Sequence, residues 1–246
     1  MKAFERADRK SFLLSVPAER IRAIGFSGVD GNNPFVLTLR DYAAGRCTSF
    51  KGSRLEDYYR FWQPHAVGHQ SQVISPGPPW KTVRPKRQNS AVGRLERREF
   101  RGIARELGVP LSEIHGHISG GPVTEAFGEI TFRRFARLYD SMAASGFRPD
   151  AHAASYPSGM CFCRGSDYRV VVSSGKHRVT VMLAMGWKEI PVEFGPPKLP
   201  VITRREEVDS WPNVLSGHYS REEALRLFDA LFAASHPSAW KPATRV

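Results

Sequence analysis

Apolar and polar positions along the chain predict a string of short elements. Residues 12–16 (FLLSV) and 34–39 (PFVLTL) read as strands, rich in apolar and β-branched residues. Asp30, Gly31, Asn32 and Asn33 predict a turn before the second. Leu55, Tyr58, Tyr59 and Trp62 then recur at helical spacing and define one apolar face. Ser53-Arg54-Leu55-Glu56 is a capping box at the start of that helix, and Pro64 stops it. The aromatic stripe reads as core packing rather than a base-stacking surface.

Residues 68–91 are rich in Gly, Pro, Ser and Gln and read as a long loop. A basic helix is predicted over 92–107, with Phe100, Ile103, Ala104 and Leu107 as its buried stripe and Gly108 and Pro110 at its end. HGHISGGP at 115–122 is a second break; His115 and His117 lie two apart, but no neighbouring Cys or carboxylate completes a zinc set at ligand spacing. A helix over 131–145 carries Phe135, Leu138, Tyr139 and Met142 on one face, with Gly146 as its C-cap. Strands at 160–163 and 168–172 flank the turn Arg164-Gly165-Ser166-Asp167. Cys161 and Cys163 share a face there and read as packing thiols. A helix follows at 177–185, closed by Gly186, and IPVEF at 190–194 reads as the last strand. Beyond a Pro-rich passage, a second capping box, Ser220 to Glu223, opens a helix expected to bury Ala224, Leu227, Phe228 and Leu231.

Composition narrows the class. A chain of 246 residues, 41% hydrophobic and 11% aromatic, has enough apolar material for one large domain, or a core domain with attached arms. No apolar run reaches the ~18 residues that span a bilayer. The charged start MKAFERADRK and the short FLLSV do not make a secretory leader. Three cysteines argue against a disulfide scaffold and for a reducing, cytoplasmic setting. Net charge is +12 with a pI near 10, which points to an acidic partner. Residues 81–105 concentrate it: nine Lys/Arg stand against Glu96 and Glu99. That segment is either a solvated helix face with a basic lead-in or a phosphate-facing patch, and nucleic acid is the partner such a patch would take.

One short stretch carries chemistry. Ser173-Ser174-Gly175-Lys176-His177-Arg178 joins a strand to a helix. A small-residue turn followed by a helix N-terminus presents backbone amides and a positive dipole end to an anion. Gly175 allows the backbone close approach to a phosphate, and Lys176, His177 and Arg178 add side-chain donors. Three basic residues at a helix start oppose the dipole, a cost that a bound anion removes. The plain alternative is a tight turn with exposed basic residues.

The stretch YRVVVSSGKHRVTVMLAMGWKEIPVEF resembles the core of the ParB/sulfiredoxin superfamily: a strand ending in Gly-x-His-Arg, an apolar helix ending in Gly, and a strand of the IPV kind. RFARLYDSMAASGFRP is similar to the lead-in of that family. The resemblance covers about 120–195. It implies an α/β (α+β) fold, a small mixed sheet with flanking helices. It divides the chain into an N-terminal extension (1–115), a core (116–195) and a C-terminal extension (196–246). It also implies nucleotide binding, with Ser173, Ser174, Gly175, Lys176, His177 and Arg178 at the phosphates. Sulfiredoxins place a nucleophilic Cys directly before the His-Arg; Lys176 stands there, which excludes their reductase chemistry. Chromosome-partition members bind CTP and continue into DNA-binding and dimerisation domains, for which too little chain follows Phe194. Amino-acid kinases of the superfamily use an upstream Glu as base, and Glu125 and Glu129 lie before the long helix, where such a Glu would fall. The leading expectation is therefore an enzyme that binds ATP, ADP or CTP with Mg²⁺ and transfers a phosphoryl group to a small molecule, or hydrolyses the nucleotide. A DNA-binding or nucleotide-switch protein and a catalytically inactive nucleotide-binding module are the alternatives.

Overall fold

The computed structural model describes residues 11–23, 26–27, 31–63, 79–80, 101–116, 118, 120–149, 156–195 and 202–233. They fall into two compact units. The first is drawn from Met1–Asn33, Ile74–Val83 and Ser145–Ala239, the second from Pro34–Val73 and Arg84–Ala144.

The first unit is built on a mixed sheet. Its strands are β1 (Phe12–Pro17), β2 (Ile21–Ala23), β3 (Phe26–Ser27), β4 (Ser158–Arg164), β5 (Asp167–Ser174), β6 (Glu189–Phe194) and β7 (Ile202–Arg204). The order is β1-β6-β4-β5-β2-β3, with β7 also on β4. The β4–β5 hairpin is antiparallel and turns at Gly165-Ser166, with Cys161 opposite Val170 and Cys163 opposite Tyr168. β6 lies parallel to β4 at Ser158, and β7 lies parallel to it from Cys161 to Cys163. β2 runs parallel to β5, and β1 runs antiparallel to β6. The sequence SGMCFCR has no polar alternation because β4 is covered on both faces: Gly159 to Cys163 are all buried.

On one face, Met160 and Phe162 meet a cluster of Val208, Trp211, Ala224, Phe228 and Phe232. Trp80 joins it, its ring 5.0 Å from that of Phe162. Ala224 and Phe228 lie on the helix α6 (Arg221–Ala230), which Phe232 follows, and Trp211 precedes the short helix α5 (Pro212–Leu215). Ser220 and Glu223 form the reciprocal box at the start of α6 that the sequence predicts: Glu223 N–H donates to Ser220 Oγ and Ser220 N–H to the Glu223 carboxylate. Ala224 and Phe228 are buried as expected, but Leu227 is 45% exposed, on the far side of the helix. IPVEF is not the last strand, since β7 follows it.

A buried arginine holds the other end of α6. Arg22 on β2 donates from Nε to Leu231 O at 2.8 Å and from Nη2 to Ala233 O at 3.3 Å. Carbonyls past the last helical turn have no acceptor role left within the helix, and a cation there also meets the negative end of the dipole. This contact joins the N-terminal strands to the C-terminal helix.

The second unit is helical. Its elements are α1 (Pro34–Ala43), α2 (Arg54–Phe61), a helical stretch at 101–106 and α3 (Glu125–Ser145). The first unit contributes α4 (Lys176–Ala184). PFVLTL is therefore a helix, not the strand its composition suggests. A strand would place Phe35, Leu37 and Leu39 on one face; instead Phe35, Val36 and Leu39 are buried and Leu37 is half-buried, and Pro34 suits a helix start. Phe35 packs its ring against Tyr58, Tyr59 and Phe135. Leu55, Tyr58 and Tyr59 are buried as the helical stripe requires. Ser53 Oγ accepts from Glu56 N–H, while the Glu56 carboxylate reaches back to Gly52 N–H rather than to Ser53. Asp41 is buried between Arg46 and Arg54, both of which donate to it.

The long helix begins at Glu125, six residues before the expected start at 131. Thr124 caps it, its Oγ1 accepting from Phe127 N–H. Gly128, a weak helix former, obscures these turns in the sequence. The ring of Phe50 occupies the place of a Cβ there, 2.2 Å away.

Arg22→Ala is expected to destabilise the protein by about 3 kcal/mol, because two helix-end carbonyls lose a charged donor. Urea denaturation followed by circular dichroism measures this; a loss below about 0.5 kcal/mol would show that the helix end needs no cation.

Candidate functional site

The predicted turn lies at the end of β5, where the strand gives way to α4. Ser173 Oγ donates to Ser158 O at 3.0 Å, and Ser174 stands opposite Ser158 in register. The hydroxyl of Ser173 thus ties the turn to the start of β4. Gly175 is the N-cap of α4, with φ +76° in the left-handed region. A β-carbon there would lie 2.9 Å from Pro157 Cα and 3.1 Å from Arg178 Nη2. The glycine is thus required twice, by its backbone angle and by close approach. The ladder of α4 begins with Val179 N–H on Gly175 O. The amides of 176–178 therefore stand at the positive end of the helix, as the sequence predicts for this turn.

The three basic residues of the turn differ in setting. Lys176 is exposed and His177 half-buried. Arg178 is only 9% exposed. Its guanidinium lies against the Gly175 turn and within 5.9 Å of the Phe147 ring centre, a cation–π distance. Burial pushes the pKa of this guanidinium down, yet arginine stays charged at any physiological pH. Phe147 is itself packed edge-on against Tyr156 and Trp187. Pro157 and Phe147 were not legible as site residues. SGFRP marks a helix end, and nothing in its spacing says that Phe147 returns to the guanidinium.

Glu125 and Glu129 belong to the second unit and lie within the first turns of α3 rather than ahead of it. Glu125 is exposed. Glu129 accepts from Phe50 N–H at 2.9 Å on one oxygen and from Arg133 Nε at 2.7 Å on the other, so both of its oxygens carry a structural contact. Of the basic segment 81–105, only 101–105 lies within the described residues, where Arg101 and Arg105 are exposed on the helical stretch 101–106. The long loop at 68–91, apart from Pro79 and Trp80, and the first part of the predicted basic helix fall outside the described residues.

Among the described residues no three His, Cys, Asp or Glu side chains cluster as a metal site, and no helix is long and apolar enough to cross a membrane. Comparison with protein-family models, curated proteins and solved structures finds no match to this chain.

Gly175→Ala is expected to destabilise the fold by about 1–2 kcal/mol from the backbone angle alone, and further from the approach to Pro157. Thermal unfolding checks it. An unchanged midpoint would mean that the turn relaxes freely and is not held in the conformation described.

Proposed function

We propose that this chain binds a nucleotide through the turn 173–178 and serves phosphoryl transfer to a small molecule. The observation that supports this reading is the buried Arg178 guanidinium, held beside a left-handed Gly175 at the positive end of α4. Phosphate suits a planar, bidentate donor such as this guanidinium. The amides of the turn and the exposed Lys176 extend the same donor set. The resemblance to the ParB/sulfiredoxin superfamily belongs to this reading.

The phosphates themselves would be the main oxygen ligands of Mg²⁺, which is bound by few protein groups in most nucleotide sites. Phosphoryl transfer asks chiefly for positioning and charge neutralisation, which the turn is equipped to give: Arg178 and Lys176 offset charge, and the amides orient the phosphate oxygens. ATP, ADP and CTP share the phosphate chain that this turn would read, so the turn alone does not discriminate among them.

The first test is a thermal-shift screen of ATP, ADP and CTP with and without Mg²⁺. Binding at a hundred times Kd adds roughly 2.7 kcal/mol of stability. Arg178→Lys keeps the charge and loses the planar fork, so it is expected to weaken nucleotide binding at least tenfold with unchanged circular dichroism. Equal affinity in this variant removes the turn from the site.

In the phosphotransfer form of this reading, Glu125 or Glu129 is the base by the family resemblance. Glu125→Gln and Glu129→Gln are expected to separate the two roles. The variant that removes the base keeps nucleotide affinity and loses turnover by ~10²–10⁴. Full turnover in both variants would reject both assignments. Glu129→Gln is also expected to lower stability, since that carboxylate accepts from Phe50 N–H and Arg133.

A further inference from the structure

Strand β4 places two thiols in contact. Cys161 and Cys163 are two residues apart on an extended strand and so project from the same face. Their Sγ atoms are 3.7 Å apart, and the residues are 1% and 2% exposed. The remaining cysteine of the chain, Cys47, belongs to the second unit, where its thiol donates to Thr38 O. From the sequence the pair reads as packing; the contact between the sulfurs and their surroundings give it more.

We propose that Cys161 and Cys163 form a redox dithiol that hydrogen peroxide closes to an intramolecular disulfide. The two thiols are not equivalent. The hydrogen bond between the two sulfurs holds the Cys163 thiol down to about 7, outweighing burial. The positive charge of Arg204, opposite Cys163 in the β7 register, acts in the same direction. The same hydrogen bond, with burial, pushes Cys161 up. The lowered Cys163 is therefore placed as the attacking cysteine and the raised Cys161 as the resolving one.

The chemistry balances in two steps. The Cys163 thiolate attacks one peroxide oxygen, forming a sulfenic acid and releasing hydroxide. The Cys161 thiol then attacks the sulfenic sulfur, forming the S–S bond and releasing water. The two thiols lose two electrons, and the peroxide takes them up. The pair is flanked edge-on by β7, a strand of three residues whose partners on β4 are Cys161 to Cys163. So short a strand opens at far lower cost than the whole sheet.

Geometry also makes the bond reversible. Residues two apart on a strand have Cα atoms roughly 6.7 Å apart, at the far end of the span a disulfide tolerates. Closing it shortens β4 where β7 pairs, so the oxidised form is strained and easily reduced.

The test uses the folded full chain, treated with a small molar excess of hydrogen peroxide, then denatured, alkylated with N-ethylmaleimide and mapped by peptide mass. The expected product is a peptide two hydrogens lighter, linking Cys161 to Cys163, with Cys47 alkylated and dithiothreitol restoring both thiols. Cys161→Ser is expected to accumulate a dimedone-reactive sulfenic acid on Cys163, and Cys163→Ser to leave Cys161 a thiol. Full alkylation of all three cysteines after peroxide overturns the proposal. So does a disulfide that includes Cys47, or oxidation of Cys163 to sulfinic acid without a disulfide. The wild-type map decides the matter if either variant fails to fold.

Discussion

A strand buried on both faces has no water to satisfy its backbone, so every amide and carbonyl needs a partner in the sheet. In the first unit that strand is β4. Its partners come from three stretches of sequence. β5 pairs along its length, β6 meets its first residue, and β7 meets Cys161 to Cys163. β2 then adds to β5, and β1 to β6. The hydrophobic faces follow from the same demand: Met160 and Phe162 receive the C-terminal aromatic cluster, while Cys161 and Cys163 share the other face with Val170, opposite Cys161.

The two chemically distinct features of this unit sit at opposite ends of β4. At its start, the Ser158 carbonyl accepts from Ser173, and Pro157 presses on Gly175. The turn that carries Lys176, His177 and Arg178 is thereby fixed to the sheet. At its far end, β7 pairs with Cys161 to Cys163 and brings Arg204 opposite Cys163. Both features depend on positions along a rigid strand and not on mobile loops, which favours defined geometry at each.

Two arginines with small exposure are held in different ways. Arg22 satisfies carbonyls at the end of α6, Leu231 O and Ala233 O. Arg178 lies against the Gly175 turn and the face of Phe147.

Local pattern was enough for the β4–β5 hairpin, for α4 with its left-handed glycine, for the apolar face of α2 and for the capping box of α6, because each rests on contacts within a few residues. It was misleading at PFVLTL, where a short apolar run fits a strand or a buried helix equally and packing against Tyr58, Tyr59 and Phe135 decided. It placed the start of α3 too late, because Gly128 looks like a break until Phe50 fills its missing side chain. The turn 173–178 was legible as a strand-to-helix junction with a glycine and basic residues, since residue type alone dictates donors and backbone freedom. The burial of Arg178, the return of Phe147, the hold on Glu129, the sulfur contact and the cation beside it were not. Each joins residues distant in sequence or sets a depth of burial, and such distances are fixed only when the sheet and its covering helices close.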